Sequence, residues 1–304
     1  MFIRLKKDAS EIEANSLDSV LGFYRFYVGE HEIIVINDGF IGLPLPLLAA
    51  DVPEEDILSL LQAHGLDTEF ATIPIGVVLV KTGGRLVLLD TGTGASDFAR
   101  DMFGDYIGGL VPTLELIGVS PAAITDVIFS HAHGDHLGGT SIDGQLAFPN
   151  AQHYLPQLEW EDLHRDDIPE FAVPFIEFAK NQLQPLVDNN GQLAFYGDED
   201  EVVPGIQAVA TLGHSGGHHA LIIESDGRQL LLPFDVLGHS ILHLRHPEWA
   251  MKVDQIPDVA VATRRHLLAR AADEKIPVLV HHFPFPGLGQ ITRDDDTYRF
   301  TPTN

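Results

Sequence analysis

The chain has no cysteine. That excludes disulfide frameworks, thiolate zinc sites and cysteine nucleophiles, and leaves any metal to imidazole and carboxylate ligands. Basic residues are also scarce: 18 Lys and Arg stand against 44 Asp and Glu, for a formal charge of −26. A surface with that field repels phosphate backbones and anionic lipid heads, so nucleic acid is not an expected partner. Long apolar runs are missing as well. The most apolar segment, FIGLPLPLLAA (40–50), is too short to span a bilayer and carries two prolines. The first residues, MFIRLKKDASEIEANS, lack the apolar stretch of a secretory signal, so a cytoplasmic location is expected. No Gly-, Ser- or Pro-rich linker and no long-period repeat divides the chain. The expectation is one domain over 1–304, with an N-terminal extension over about residues 1–30.

What is present alternates between strand and helix patterns. VVLVKTGGRLVLLD (77–90) reads as a hairpin turning at Gly83-Gly84. LIIESDGRQLLLPFD (221–235) repeats the design around Asp226-Gly227, so two strand ends each deliver a carboxylate, Asp90 and Asp235. Helices are expected over 53–65 and 257–275, each opening on Pro, with a weaker candidate over 170–187. TDVIFS (125–130) and VLVHHF (278–283) read as buried strands that run into histidines. The pattern indicates an α/β architecture.

The chemistry concentrates in SHAHGDHLGG (130–139). A divalent ion needs imidazole nitrogens and carboxylate oxygens at about 2.0–2.2 Å. His131 and His133 are two apart and project to one side of an extended loop, so they can share one ion. Asp135 and His136 are adjacent and more naturally serve a second ion beside the first. Gly134, Gly138 and Gly139 suit a turn whose backbone must pass close to the metals. A chance match to three His and one Asp at these spacings is on the order of four in a thousand for this composition. Further candidates lie at His214 in LGHSGGHH (212–219), at Asp235 in PFD, and at His281 and His282 in HHFPFPG (281–287).

With these pieces assembled, the sequence resembles the metallo-β-lactamase superfamily from about residue 72 to 290, the HxHxDH motif being the most specific part. The resemblance implies a four-layer αββα sandwich, two mixed sheets with helices outside. It implies that His131, His133 and His214 hold one divalent ion, that Asp135, His136 and His282 hold another, and that Asp235 bridges them. Of the last histidine pair, His282 is preferred because in similar proteins the ligand directly precedes the Phe of an HFPFPG-like segment, and strand alternation would turn His281 away. His218 and His219 are expected to support the site or the core. Asp90, in DTGTG, either orients a ligand histidine or anchors its own turn. Two such ions, zinc being expected and manganese, iron or cobalt also suiting His/Asp ligands, lower the pKa of a shared water. The expected chemistry is hydrolysis of an ester-like bond by a bridging hydroxide, with Asp135 or Asp235 passing a proton to the leaving group.

The C-terminal third, HPEWAMKVDQIPDVAVATRRHLLARAADEKIPVLVHHFPFPGLG (246–289), looks like the methyl parathion hydrolase-like and lactonase-like branch. That implies a small, largely uncharged organic substrate, a lactone or simple ester first and phosphotriesters second. Aromatic walls are then expected, with Phe234, Trp249, Phe283 and Phe285 as candidates and His239 as a wall, a donor to substrate or a structural residue. The LPLPLL stretch suits either the pocket or a homodimer contact. A glyoxalase II-type thioester hydrolase is the alternative enzyme, opposed by the scarcity of basic residues. A non-catalytic metal-binding sensor on the same fold is the alternative outside enzymes.

Overall fold

A computed structural model describes residues 22–66, 70–189 and 191–303. Its first sheet runs in the order β1 (Phe23–Val28), β2 (His31–Pro44), β3 (Phe70–Thr82), β4 (Arg85–Leu89), β5 (Asp126–Ile128), β8 (Gln152–Pro156) and β9 (Leu193–Tyr196). A two-stranded ribbon, β6 (Ser141–Ile142) and β7 (Gln145–Leu146), stands apart. The second sheet follows chain order through β10 (Glu201–Val203), β11 (Ile206–Ala210), β12 (His219–Ser225), β13 (Arg228–Leu232), β14 (Val278–Leu279), β15 (Leu288–Asp294) and β16 (Thr297–Pro302). Both sheets are mixed: β4, β5, β8 and β9 run parallel in the first, and β13 and β14 in the second.

The helices among the described residues are α1 (Leu45–Leu48), α2 (Glu54–Ala63), α3 (Asp97–Phe103), α4 (Leu110–Leu116), α5 (Gly134–Leu137), α6 (Gln157–Leu163), α7 (Val173–Asp188), α8 (Leu242–Arg245) and α9 (Pro257–Glu274). Strand alternation assigns them to layers, since successive side chains leave a strand on opposite faces. Val78, Val80, Val87 and Leu89 point inward to meet Ile206, Leu221, Ile223 and Leu230 of the second sheet. Their neighbours Val77, Leu79 and Leu88 point outward against Leu110 and Leu114 of α4 and Leu183 and Leu186 of α7. On the far side Ala220, Ile222 and Leu231 pack on Leu267, Leu268 and Ala271 of α9. Helices, sheet, sheet and helix therefore form the expected αββα sandwich.

Both hairpins and all three helices fall where the sequence places them. The strand expected over 278–283 is shorter, ending at Leu279. Pro284 and Pro286 lack the N–H a ladder requires, and the chain instead turns back through Gly287 N–H donating to Pro284 O. His281 and His282 thus leave the sheet. At the N-terminus, residues 23–28 form an edge strand paired with β2, so the expected extension overlaps the sandwich, and residues 1–21 lie outside the described residues. The LPLPLL stretch is not an exposed patch: Leu45 and Leu48 are buried with Ile57 and Leu61 of α2.

One buried carboxylate joins three segments near the site. Asp38, at the irregularity in β2 between Asn37 and Gly39, accepts from Thr93 N–H (2.9 Å), Thr93 Oγ1 (2.8 Å) and Leu110 N–H (2.9 Å). Burial pushes its pKa above the ordinary value, although these donors oppose the shift. Asp38→Ala orphans two buried amides, at about 1–3 kcal/mol per group. A urea-unfolding stability lower by at least about 2 kcal/mol is expected, and a loss under about 0.5 kcal/mol would refute this role.

Candidate metal centre

The donor residues sit on the loops that follow β5, β11, β13 and β14, where backbone is free to turn toward the cleft between sheets. After β5, Ser130–His133 runs extended before α5 begins at Gly134. The glycines are expected for closeness to the metals, but what crowds two of them is a neighbouring loop: a Cβ on Gly139 would stand 2.2 Å from Thr91 O, and one on Gly138 2.4 Å from Thr93 O. The HxHxDH turn is therefore pressed against the Thr91–Thr93 loop, a close approach only glycine permits.

All seven expected ligands converge. One set comprises His131, His133, His214 and Asp235, and another Asp135, His136 and His282, each with its donor atoms within 4.8 Å of one another. His133 Nδ1 lies 2.9 Å from His214 Nε2, and His214 Nε2 lies 3.2 Å from Asp235 Oδ2. The other carboxylate oxygen, Asp235 Oδ1, is 3.0 Å from His136 Nε2 and 3.1 Å from His282 Nε2, while Asp135 Oδ2 is 3.6 Å from His282 Nε2. Asp235 thus faces both sets, one oxygen to each. His282 is the member of its pair that reaches the carboxylates. His281 stacks on His136, ring centroids 4.6 Å apart, and groups with Asp90.

The other ring nitrogens of His131, His136, His214 and His282 are tied down, which fixes ring orientation. His136 Nδ1–H donates to Asp90 Oδ2 (2.7 Å), and Ser130 Oγ links the same carboxylate to His131 Nδ1 (2.9 and 3.0 Å). His214 Nδ1–H donates to Asp254 Oδ1 (2.9 Å), and His282 Nδ1–H to Pro74 O (2.9 Å). Asp90 is therefore an orienting residue as well as the end of its strand. His218 Nε2 accepts the Asp235 amide N–H at 3.2 Å, while His219 Nδ1–H donates to Gly217 O.

Electrostatics fit these donors to cations. Burial alone would raise the Asp235 carboxyl, but the charges of His136, His282 and His214 reverse that and hold it well below the carboxylate range. Burial opposes protonation of His214, yet Asp235 and Asp254 push it up to about 9, and His136 is likewise raised by Asp235, Asp135 and Asp90. His133 is pushed down to about 3 by burial and by the charge of His214. The centre requires positive charge. His131 Nε2, His136 Nε2 and Asp235 Oδ1 are buried without a well-formed hydrogen bond, as expected of atoms arranged for a metal rather than for each other.

The expected pocket residues fare differently. Phe283 is 1% exposed and packs edge-to-face on Phe300, so it is core. Phe234 is equally buried, behind His136 and His281. Phe285 is half-buried against the inter-sheet core, and Trp249 stacks on His246 beside the Leu45 cluster. His239 Nδ1 accepts from the N–H groups of Ile241 and Leu242 at the start of α8, which is a structural use of that nitrogen. Sequence reasoning missed Asp254 and Glu159. Glu159, buried in α6, accepts from Ala132 N–H, Gly217 N–H and Ser215 Oγ, clamping the two histidine loops together. In the sequence it passes for a surface charge on a polar helix.

A two-sheet sandwich with paired imidazole–carboxylate sets at its strand ends defines a protein built to hold two neighbouring divalent ions. The match to the metallo-beta-lactamase superfamily spans residues 74–239, more than half the chain, and the protein belongs to that superfamily. It is similar to the N-acyl homoserine lactonase AiiA of Bacillus thuringiensis subsp. kurstaki, 30% identical over 168 residues that cover 51% of this chain and 60% of the relative, so the match leaves out much of both chains. Among solved structures it is similar to AidC, a dizinc quorum-quenching lactonase bound to a homoserine product (TM-score 0.84, 27% identity, 93% of this chain and 98% of that one). It is also similar to the hydrolase AbOPH (TM-score 0.85, 26% identity, 93% and 98%).

Because the Thr91–Thr93 loop leaves no room for a methyl, Gly139→Ala should lower stability by about 1–3 kcal/mol and reduce bound metal. Calorimetric melting and elemental analysis check both, and unchanged metal content would contradict the packing argument.

Proposed function

We propose that this protein is a dinuclear metal-dependent hydrolase that opens lactone rings, of the N-acyl homoserine lactone class. The carrying observation is Asp235 between two imidazole sets, one oxygen toward each. Similarity to AiiA and AidC supports the substrate class. The resemblance to AidC also supports zinc in both sets, which would be His131, His133 and His214 on one side and Asp135, His136 and His282 on the other. Bound there, two such ions would polarise the carbonyl and make a water nucleophilic at neutral pH.

The chain's own groups do the rest. Asp235 holds the two sets at a fixed spacing. Asp135, whose side chain is 14% exposed and at the mouth of the cluster, is placed to hold a proton taken from water and return it to the alkoxide of the opening ring. Phe98 offers an apolar surface for an acyl tail, backed by the buried Phe178 and Phe103. A Cβ on Gly134, between His133 and Asp135, would stand 3.1 Å from the Phe103 ring and 3.3 Å from Phe178, and Phe98 stacks on Phe178 at 4.7 Å with 39% exposure.

Metal-analysed protein assayed on lactones, aryl esters, thioesters and phosphotriesters tests this reading. Lactones should give the highest kcat/KM, and chelation or His133→Ala should remove activity by at least 100-fold. Fastest turnover of a glutathione thioester would favour the glyoxalase II-type alternative. Binding of two ions with no turnover on any substrate would make the protein a sensor. Phe98→Ala should raise KM several-fold for long acyl chains and little for short ones, at about 0.8 kcal/mol per methylene no longer buried. An equal effect at every chain length would remove Phe98 from the tail surface.

A further inference from the structure

The donor histidines take their orientation from different parts of the fold. His282 takes its orientation from Pro74 O in β3 and His136 from Asp90 at the end of β4, both in the first sheet. His214 depends instead on a charge pair buried beneath it. Asp254 Oδ1 accepts from His214 Nδ1–H, and Asp254 Oδ2 accepts from Met251 N–H (2.8 Å) and lies 3.5 Å from Arg264 Nη2. Both side chains of that pair are fully buried.

Arg264 projects from the N-terminal half of α9 and reaches further. Its Nε donates to Val236 O (2.8 Å), one residue beyond Asp235, and its Nη1 to the carbonyls of Trp249 and Pro247. The same stretch of α9 lies directly under the His214 loop. Thr263 Oγ1 donates to Leu212 O (2.9 Å), and a Cβ on Gly213 would meet Ala260 N at 2.2 Å. The segment carrying Asp254 is laced to that loop by Gln255 N–H to His214 O (3.0 Å), Ile256 N–H to Gly213 O (2.9 Å) and Gly216 N–H to Gln255 Oε1 (2.9 Å).

A fully buried guanidinium is costly to desolvate, and removing one partner of such a pair is costlier than keeping both. Apolar residues would pack this helix on the sheet without that cost. The guanidinium's contacts all concern one region: the turn after the shared carboxylate, the backbone at Trp249 and the carboxylate that orients one ligand. We infer that Arg264 and Asp254 form a positioning relay that acts through His214 and sets metal affinity chiefly at the His131, His133 and His214 site. Arg264 fixes Asp254 and Asp254 fixes the His214 ring, whereas His136 and His282 take their orienting bonds from Asp90 and Pro74. The inference rests on the two-ion reading given above. Neither residue touches substrate.

Metal-free protein titrated with Zn²⁺ against a chelating dye, and with Co²⁺ followed by its visible absorption, reads the two sites separately from activity. Asp254→Asn, which keeps size and removes charge, should weaken one ion by about 10- to 100-fold and the other much less. Arg264→Lys should weaken the same ion, less than additively in the double variant, because a bidentate-capable fork is replaced by a point charge. Asp90→Asn is the contrast: it contacts His136 directly and His131 through Ser130, so both ions should weaken. The relay is overturned if Asp254→Asn weakens both ions equally, or weakens neither while melting alone changes. If Arg264→Lys does not fold, Asp254→Asn decides by itself. Wild-type protein that binds fewer than two ions would sink the two-ion reading itself, a result distinct from a failed relay.

Discussion

Everything in the centre depends on one buried negative charge. Asp235 enters the cleft at the end of β13 with its amide held by His218 and its carboxylate surrounded by imidazoles. A carboxylate in that environment persists only if cationic charge is supplied beside it. Against the opposing effect of burial, the carboxylates around His214 and His136 push both up, while burial first and neighbouring positive charge second push His131 and His133 down. Two divalent ions meet the same demand and free the imidazoles to act as ligands. The clustered, mutually close nitrogens and the unpaired buried atoms follow from that single requirement.

The fold meets the requirement twice over. Each sheet contains an antiparallel hairpin, β3–β4 and β12–β13, followed by a parallel strand, β5 and β14. Each hairpin is followed by a carboxylate, Asp90 or Asp235, and each parallel strand leads to a histidine loop. Packed face to face, the sheets bring both loops to the same end of the sandwich, where strand ends leave backbone unpaired and free to shape a site. The two halves differ in role: Asp90 stands behind the imidazoles and orients them, while Asp235 stands between them.

The support of the centre is divided along the same line. Asp90 and Pro74 belong to the first sheet, Asp254 and Arg264 to the segment and helix that back the second, and Glu159 ties the two histidine loops together. A site assembled from loops gains its rigidity from this second layer of hydrogen bonds, since the loops themselves have little regular structure to hold them.

The sequence by itself determined the hairpins and the histidine-rich loop, while the four layers and the full donor set were implied by its resemblance to the superfamily. Alternation in β3, β4, β12 and β13 carries the buried faces, and the spacing His-x-His-x-Asp-His carries the donors, because both are local patterns with a physical period. It did not determine which aromatics line the cleft. Phe283 and Phe98 are alike as residues, and only packing sends the first into the core against Phe300 and leaves the second at the surface on Phe178. His282 is preferred over His281 for its place directly before the Phe of an HFPFPG-like segment, with strand alternation as a second reason, yet the strand stops at Leu279, so alternation does not sort the pair. Asp254, Glu159 and Arg264 were illegible for the same reason. A buried charge and a solvated one look identical along the chain, and the contacts that give these three their roles join residues up to 58 positions apart, which only the folded sandwich brings within reach.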